Sequence, residues 1–290
     1  MFVYTRLLIL ALLLGCLAPA GRAQSTIESS SLDSPALQRS EQFQIYLPGG
    51  YADSDADFPV LYFFHGMFDT EGSWAERNVQ EIVDQLIADG TIQPMVIAIP
   101  NGGRFGFWSN SIDGASNIED FILQDFIPYI ESHYRVRSDR NGRALSGISM
   151  GGFGSLKLAF KHPDLFSSIS AHSAFLFPAP IEQLPPETLQ NRRMRPFMQI
   201  FGNPIDIEHW NANDPFQLID AERLSQLPIY FDCGKQDRFN FQQGAQRLAG
   251  QLTTAGIEHT CRITGGGESH WDQLRDNVHQ SLTFHSQHFD

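Results

Sequence analysis

The sequence predicts an α/β protein, a doubly wound and mostly parallel sheet with helices on both faces and one inserted, cap-like segment. Three observations carry that expectation. Short apolar runs of strand length recur at 58–64, 94–100, 166–173 and 257–264. Continuous runs of this kind suit parallel strands buried on both faces. Between them lie stretches with apolar residues at helical spacing, such as Val79, Ile82, Val83, Leu86 and Ile87 in 78–89. Strands and helices alternating at these lengths imply crossover connections and hence a parallel sheet.

The chain starts with Arg6, an apolar run at 7–17 and a small-residue zone ending at Ala23. This reads as an export signal over 1–23, predicting a secreted or periplasmic protein. The run is too short for a membrane span. Leu13-Leu14-Gly15-Cys16 also resembles a bacterial lipoprotein box, so a lipid anchor at Cys16 is the alternative processing. Residues 24–38, rich in Ser and Gln, read as a disordered leader. The folded domain is expected over 39–290.

Residues 41–47 alternate apolar with polar and read as an early strand. Asp53, Asp55 and Asp57 resemble the start of a calcium loop, but Phe58 stands where Gly is needed and Phe64 where Glu is needed. A solvated acidic loop is expected instead. Strand 58–64 ends in His65-Gly66-Met67-Phe68. A glycine after a buried strand lets the next amides turn toward a ligand, so the Met67 N–H is a candidate oxyanion donor. His65 reads as a structural, hydrogen-bonding residue. Residues 101–116 form a Gly-, Asn- and aromatic-rich loop, and 117–134 one long amphipathic helix that Pro128 should bend.

The most informative stretch is Arg143-Ala144-Leu145-Ser146-Gly147-Ile148-Ser149-Met150-Gly151-Gly152. An apolar run, then Gly-x-Ser-x-Gly, then a helix-compatible segment is the strand–elbow–helix context of a serine nucleophile. A serine on so tight a turn projects its hydroxyl clear of the backbone, and only glycines leave room for the flanking chain. The amide of Met150 then lies at a helix N-terminus, a second candidate oxyanion donor. Residues 175–227 break the strand–helix rhythm and read as an insertion, a possible lid over the site.

The strand at 228–231 runs into Asp232-Cys233-Gly234-Lys235-Gln236-Asp237, and the last strand into Gly265-Gly266-Gly267-Glu268-Ser269-His270-Trp271. Ser, Asp and His thus follow in the chain order of the α/β-hydrolase arrangement. Ser149 needs a base, His270 can take and return its proton, and a carboxylate must orient the imidazole. Asp237 is assigned that role over Asp232, which sits at the strand's end and is better placed to anchor the loop. Neither a His-Glu-x-x-His pattern nor paired cysteines point to a metal, and no cofactor is expected. Cys233 and Cys261, on the last two strands, could pair or stay separate thiols. The formal net charge of −13 argues against nucleic acid as a partner.

Phe63-Phe64-His65-Gly66, Ser146-Gly147-Ile148-Ser149-Met150-Gly151-Gly152, Asp232-Cys233-Gly234-x-x-Asp237 and Gly267-x-x-His270-Trp271 together resemble one esterase family. It contains esterase D, feruloyl esterase domains, enterochelin-esterase-like proteins and antigen 85 mycolyltransferases. The resemblance runs from about residue 40 to 290. It implies an α/β-hydrolase fold, a Ser149–Asp237–His270 triad and an oxyanion hole from the amides of Met67 and Met150. Two departures stand out: the glycine-rich approach to His270, and residues 175–227. The expected function is an exported serine esterase acting through an acyl-enzyme. The alternatives are an acyltransferase of the mycolyltransferase type and a catalytically silent carbohydrate- or matrix-binding protein. Phe68, Trp108 and Trp271 are the candidate substrate-binding side chains, suited to a flat or apolar acyl group.

Overall fold

The computed structural model describes residues 24–267 and 269–290, so the export-signal and Cys16 expectations lie outside the described residues. The strands are β1 (Thr26–Ser34), β2 (Arg39–Leu47), β3 (Val60–Phe64), β4 (Val96–Pro100), β5 (Arg143–Ile148), β6 (Ser168–His172), β7 (Ile229–Gly234) and β8 (Thr260–Thr264). They form one sheet in the order β1-β2-β4-β3-β5-β6-β7-β8. β1 and β2 run antiparallel, while β4, β3, β5, β6, β7 and β8 run parallel. Along β3, Tyr62 and Phe64 face one core while Leu61 and Phe63 face the other, each layer being closed by helices. The longer helices are α1 (Val79–Ala88), α2 (118–133), α3 (Met150–Lys161), α4 (Arg195–Phe201), α5 (Phe241–Thr254) and α6 (His270–Gln287). None among the described residues is long and apolar enough to cross a membrane.

Two expectations change. Residues 24–38 are not a disordered leader, because β1 pairs with β2 from Thr26↔Leu47 to Ser34↔Arg39. An edge strand needs a hydrogen-bonding neighbour more than an apolar composition, so its serines disguise it. Leu32 and Ser34 are buried, and Ser34 Oγ donates to Asp125 at 2.5 Å. Helix α2 is not an ordinary α-helix bent by proline. It widens to a π-helix over Phe121–Phe126, immediately before Ile127 and Pro128. The wider turn absorbs the missing proline N–H and the clash of its ring with the preceding turn.

Residues 175–227 pack as short helices on α3. The Phe153 ring of α3 stacks on Trp210 at 5.8 Å and 7°, and Phe197 and Phe201 of α4 close around the same cluster. Cys233 and Cys261 are free thiols; burial pushes them up to about 12 and about 11, which favours the protonated thiol at neutral pH.

A buried charge sits beneath the loop at 101–116. Lys157 of α3 is fully buried and donates to Trp108 O, to Ser109 Oγ and to Glu119 Oε2, while Lys161 reaches Glu119 Oε1 at 2.5 Å. Burial pulls Lys157 down to about 8. Burial alone would raise Glu119, but the two ammonium groups outweigh it and hold the carboxyl at about 2, against an ordinary 4.5. A depressed carboxylate contributes stability that is present above 4.5 and lost as pH falls toward 2. Glu119→Gln should therefore cost on the order of 2–3 kcal/mol at neutral pH, the gap to wild type closing between pH 4.5 and 2. Urea unfolding of both proteins across that range tests it, and a gap that stays constant rejects the linkage.

Candidate active site

Ser149 joins β5 to α3 with φ 56° and ψ −114°, outside the helical and extended regions. That geometry exists because nothing stands in its way. A Cβ on Gly151 would lie 2.0 Å from Phe64 O, and one on Gly147 would lie 2.3 Å from Gly151 O. The Ser149 amide donates to His172 O at 2.8 Å, and Ser149 O accepts from Phe153 N and Phe175 N at 3.0 Å each. The elbow is thus tied by its own backbone to the end of β6, and Ser149 Oγ is left without a hydrogen bond to a described residue.

The turn after β3 approaches the same place. A Cβ on Gly66 would stand 3.5 Å from Ser149 Cβ. His65 is buried, its Nε2 accepting from Gly102 N–H at 3.1 Å and its Nδ1 lying 2.8 Å from Gly66 O. Burial lowers its pKa, so it holds the turn as a neutral ring, in the structural role expected of it. Met67 follows half-buried, and Phe68 stands 62 % exposed beside Phe105 at 5.0 Å. The Met150 amide opens α3, where no intrahelical acceptor is available to it.

Asp237 and His270 meet. His270 Nε2 lies 2.7 Å from Asp237 Oδ2, and both side chains are buried. The other oxygen, Oδ1, accepts the amides of Phe239 at 2.8 Å and Phe241 at 3.2 Å. Burial would raise this carboxyl, but His270 and the two amides together hold it below the ordinary carboxylate value. The glycine-rich approach to His270 has a packing reason. Gly267, at φ 97°, lies so close to Gly234 that a Cβ on Gly234 would sit 2.3 Å from its Cα. Lys235 N and Gln236 N then bond to Thr264 O and Gly266 O, lacing the two loops together. Phe175 links both halves: its amide holds Ser149 O, and its ring is 5.3 Å from Phe241, itself 5.4 Å from His270.

Asp232, the competing acid, is engaged elsewhere. It sits 2.8 Å from His172 Nδ1 on the neighbouring strand, and Tyr230 donates to the same oxygen at 3.1 Å. Of the three substrate-binding candidates, Phe68 is largely exposed, Trp271 half-buried and Trp108 buried. Trp108 is 1 % exposed, stacked on Phe64 at 4.0 Å and 4°, with its indole N–H on His65 O. Its place in a Gly-rich loop suggested a mouth, whereas the small residues Gly102 and Gly154 pack against its ring. Trp271 is a brace: its N–H donates to Asp69 at 3.0 Å and Arg77 lies over its ring. Lys157 belongs to no motif, although a lysine amid Leu156, Leu158 and Phe160 is itself a signal of a buried partner.

Two grooves lie elsewhere, about 450 Å³ beside Tyr51 and Arg135 and about 790 Å³ at the amino ends of β7 and β8. Neither is lined by Ser149, Asp237 or His270. No group of His, Cys, Asp and Glu suited to a metal ion occurs among the described residues.

The sheet order, the elbow and the helices on both faces define an α/β-hydrolase fold. The chain belongs to the Esterase family, described as "Putative esterase", whose model matches residues 34–283. An esterase of Mycobacterium tuberculosis is 30% identical over 242 residues, 77% of this chain and 51% of the relative. The chain thus spans about half the length of this relative. An endo-1,4-beta-xylanase/feruloyl esterase of Xylanibacter ruminicola is 30% identical over 147 residues, 48% of this chain and 20% of the relative. Among solved structures, a ferulic acid esterase superposes with a TM-score of 0.78 at 28% identity, covering 92% of this chain and 100% of its own.

Proposed function

We propose that this protein is a serine esterase that hydrolyses carboxylic esters through an acyl-enzyme, with Ser149, His270 and Asp237 as its triad. The observation that carries the reading is a strained serine elbow at the carboxyl edge of the sheet, on the edge that also holds a buried Asp237–His270 pair. The imidazole nitrogen turned away from Asp237 takes the Ser149 proton as Oγ attacks the ester carbonyl. The amides of Met67 and Met150 receive the oxyanion. Collapse expels the alcohol, which takes its proton from His270, and water then repeats the cycle on the acyl-enzyme. Asp237, held ionised below the usual carboxylate range, fixes the ring and favours the imidazolium. Two similar proteins named as feruloyl or ferulic acid esterases, with exposed Phe68 on the turn that packs on Ser149, support an aromatic acyl group as the substrate class. The export signal read at 1–23 supports an activity outside the cytoplasm.

A fluorophosphonate probe tests the reading. Wild type should be labelled covalently and stoichiometrically at Ser149, and mass spectrometry of the labelled peptide locates the adduct. Folded wild type that takes no label is not a serine hydrolase.

A further inference from the structure

We infer that Arg104 and Arg238 recognise a carboxylate carried by the ester substrate, with the rings of Phe68 and Phe239 as platforms for the group that bears it. The inference rests on the esterase reading above.

Among the described residues, large exposed apolar side chains are few: Phe68, Ile112, Ile207 and Phe239. The two aromatic ones stand on the two loops that carry the site. Phe68 lies two residues beyond Gly66, which packs on Ser149, and Phe239 two residues beyond Asp237, its ring 5.5 Å from His270. Phe68 is held at φ 70°, which costs a non-glycine residue on the order of 1 kcal/mol. Its ring is not buried in return. The strained turn is kept by the Phe68 amide, which donates to Arg104 O at 3.1 Å. An exposed ring on a strained, fixed backbone at a reactive serine is poised for a ligand.

Each ring carries a guanidinium, Arg104 at 5.9 Å from the Phe68 centroid and Arg238 at 4.7 Å from that of Phe239. An arginine stacked on an aromatic face keeps its in-plane N–H fork free for a carboxylate. Among the described residues, neither guanidinium has a protein carboxylate, whereas Arg39, Arg77 and Arg143 each do. Among the described residues, the acidic side chains of the same loops are already engaged. Asp69 takes Trp271 and Arg77, Glu71 takes Asn101, Asp113 takes Ser111, and Asp237 faces His270. In a chain of net charge −13, these loops thus hold two guanidinium groups that no described carboxylate pairs. The whole-protein field repels an anionic ester, so any preference for one must come from these near contacts.

Two matched pairs of esters test this. p-Nitrophenyl hemiglutarate against p-nitrophenyl butyrate puts the carboxylate on the acyl part. 4-Acetoxybenzoate against its methyl ester puts it on the leaving group. In at least one pair, wild type at low salt should favour the anion in kcat/KM by about tenfold or more, the pair telling which half of the substrate is read. Arg104→Gln with Arg238→Gln should lower that anion-to-neutral ratio at least about tenfold, chiefly through KM, and 0.5 M NaCl should shrink it in wild type. A neutral preference in both pairs, or a ratio the double variant leaves alone, overturns the inference while the esterase reading stands. Turnover of none of the four, with no fluorophosphonate labelling, overturns both.

Discussion

Ser149→Ala and His270→Ala should each lower kcat by about four to six orders of magnitude on any ester that wild type hydrolyses, with the melting temperature held. Asp237→Asn should fall by about four orders, because the amide no longer selects the productive tautomer. Asp232→Asn gives the decisive contrast. Its partner is His172 rather than His270, so the change should cost stability, about 1–3 kcal/mol for a buried hydrogen bond left mismatched, and spare turnover in the folded fraction. Steady-state kinetics with thermal unfolding on the four proteins separates these effects. A still-folded Asp232→Asn protein that loses more kcat than Asp237→Asn would transfer the acid role to Asp232.

Gly151→Ala should be among the most damaging single-methyl additions available in this chain. The new carbon would meet Phe64 O at 2.0 Å and His65 O at 2.7 Å, both backbone atoms with no rotamer to yield. Strand β3 and helix α3 would have to part, costing roughly 4 kcal/mol or more. Gly250→Ala supplies the control. Gly250 lies within α5 with nothing inside 4 Å of a Cβ, so alanine there should stabilise by about 0.5–1 kcal/mol through helix propensity. Denaturant midpoints decide the matter, and a Gly151→Ala protein as stable as wild type contradicts the steric account.

The central strands and their mostly parallel sheet were legible because strands buried on both faces have no polar side to confuse their pattern, as 58–64 and 94–100 show. The tight turn at Ser149 and the meeting of Asp237 with His270 were legible because both follow strand exits with recognisable residue types. Three things were not. β1 hid behind its serines, since ladder hydrogen bonds leave no mark on composition. The burial of Trp108 was hidden because it depends on Gly102 and Gly154 making room for the ring from elsewhere in the chain. The π-turn before Pro128 was hidden because proline announces a disturbance and not the form it takes.

The bond from Trp271 to Asp69 joins the segment carrying the imidazole to the turn beneath Phe68. Asp69 N also bonds Gly66 O at 3.2 Å, and the Asp69 carboxylate lies 3.0 Å from where a Gly66 side chain would start. Two stretches about 200 positions apart are thereby mechanically in series. A thermal excursion of one drags the other with it, so their spacing fluctuates less than either loop does alone. Trp271→Phe should slacken that tether without removing any group that touches the ester.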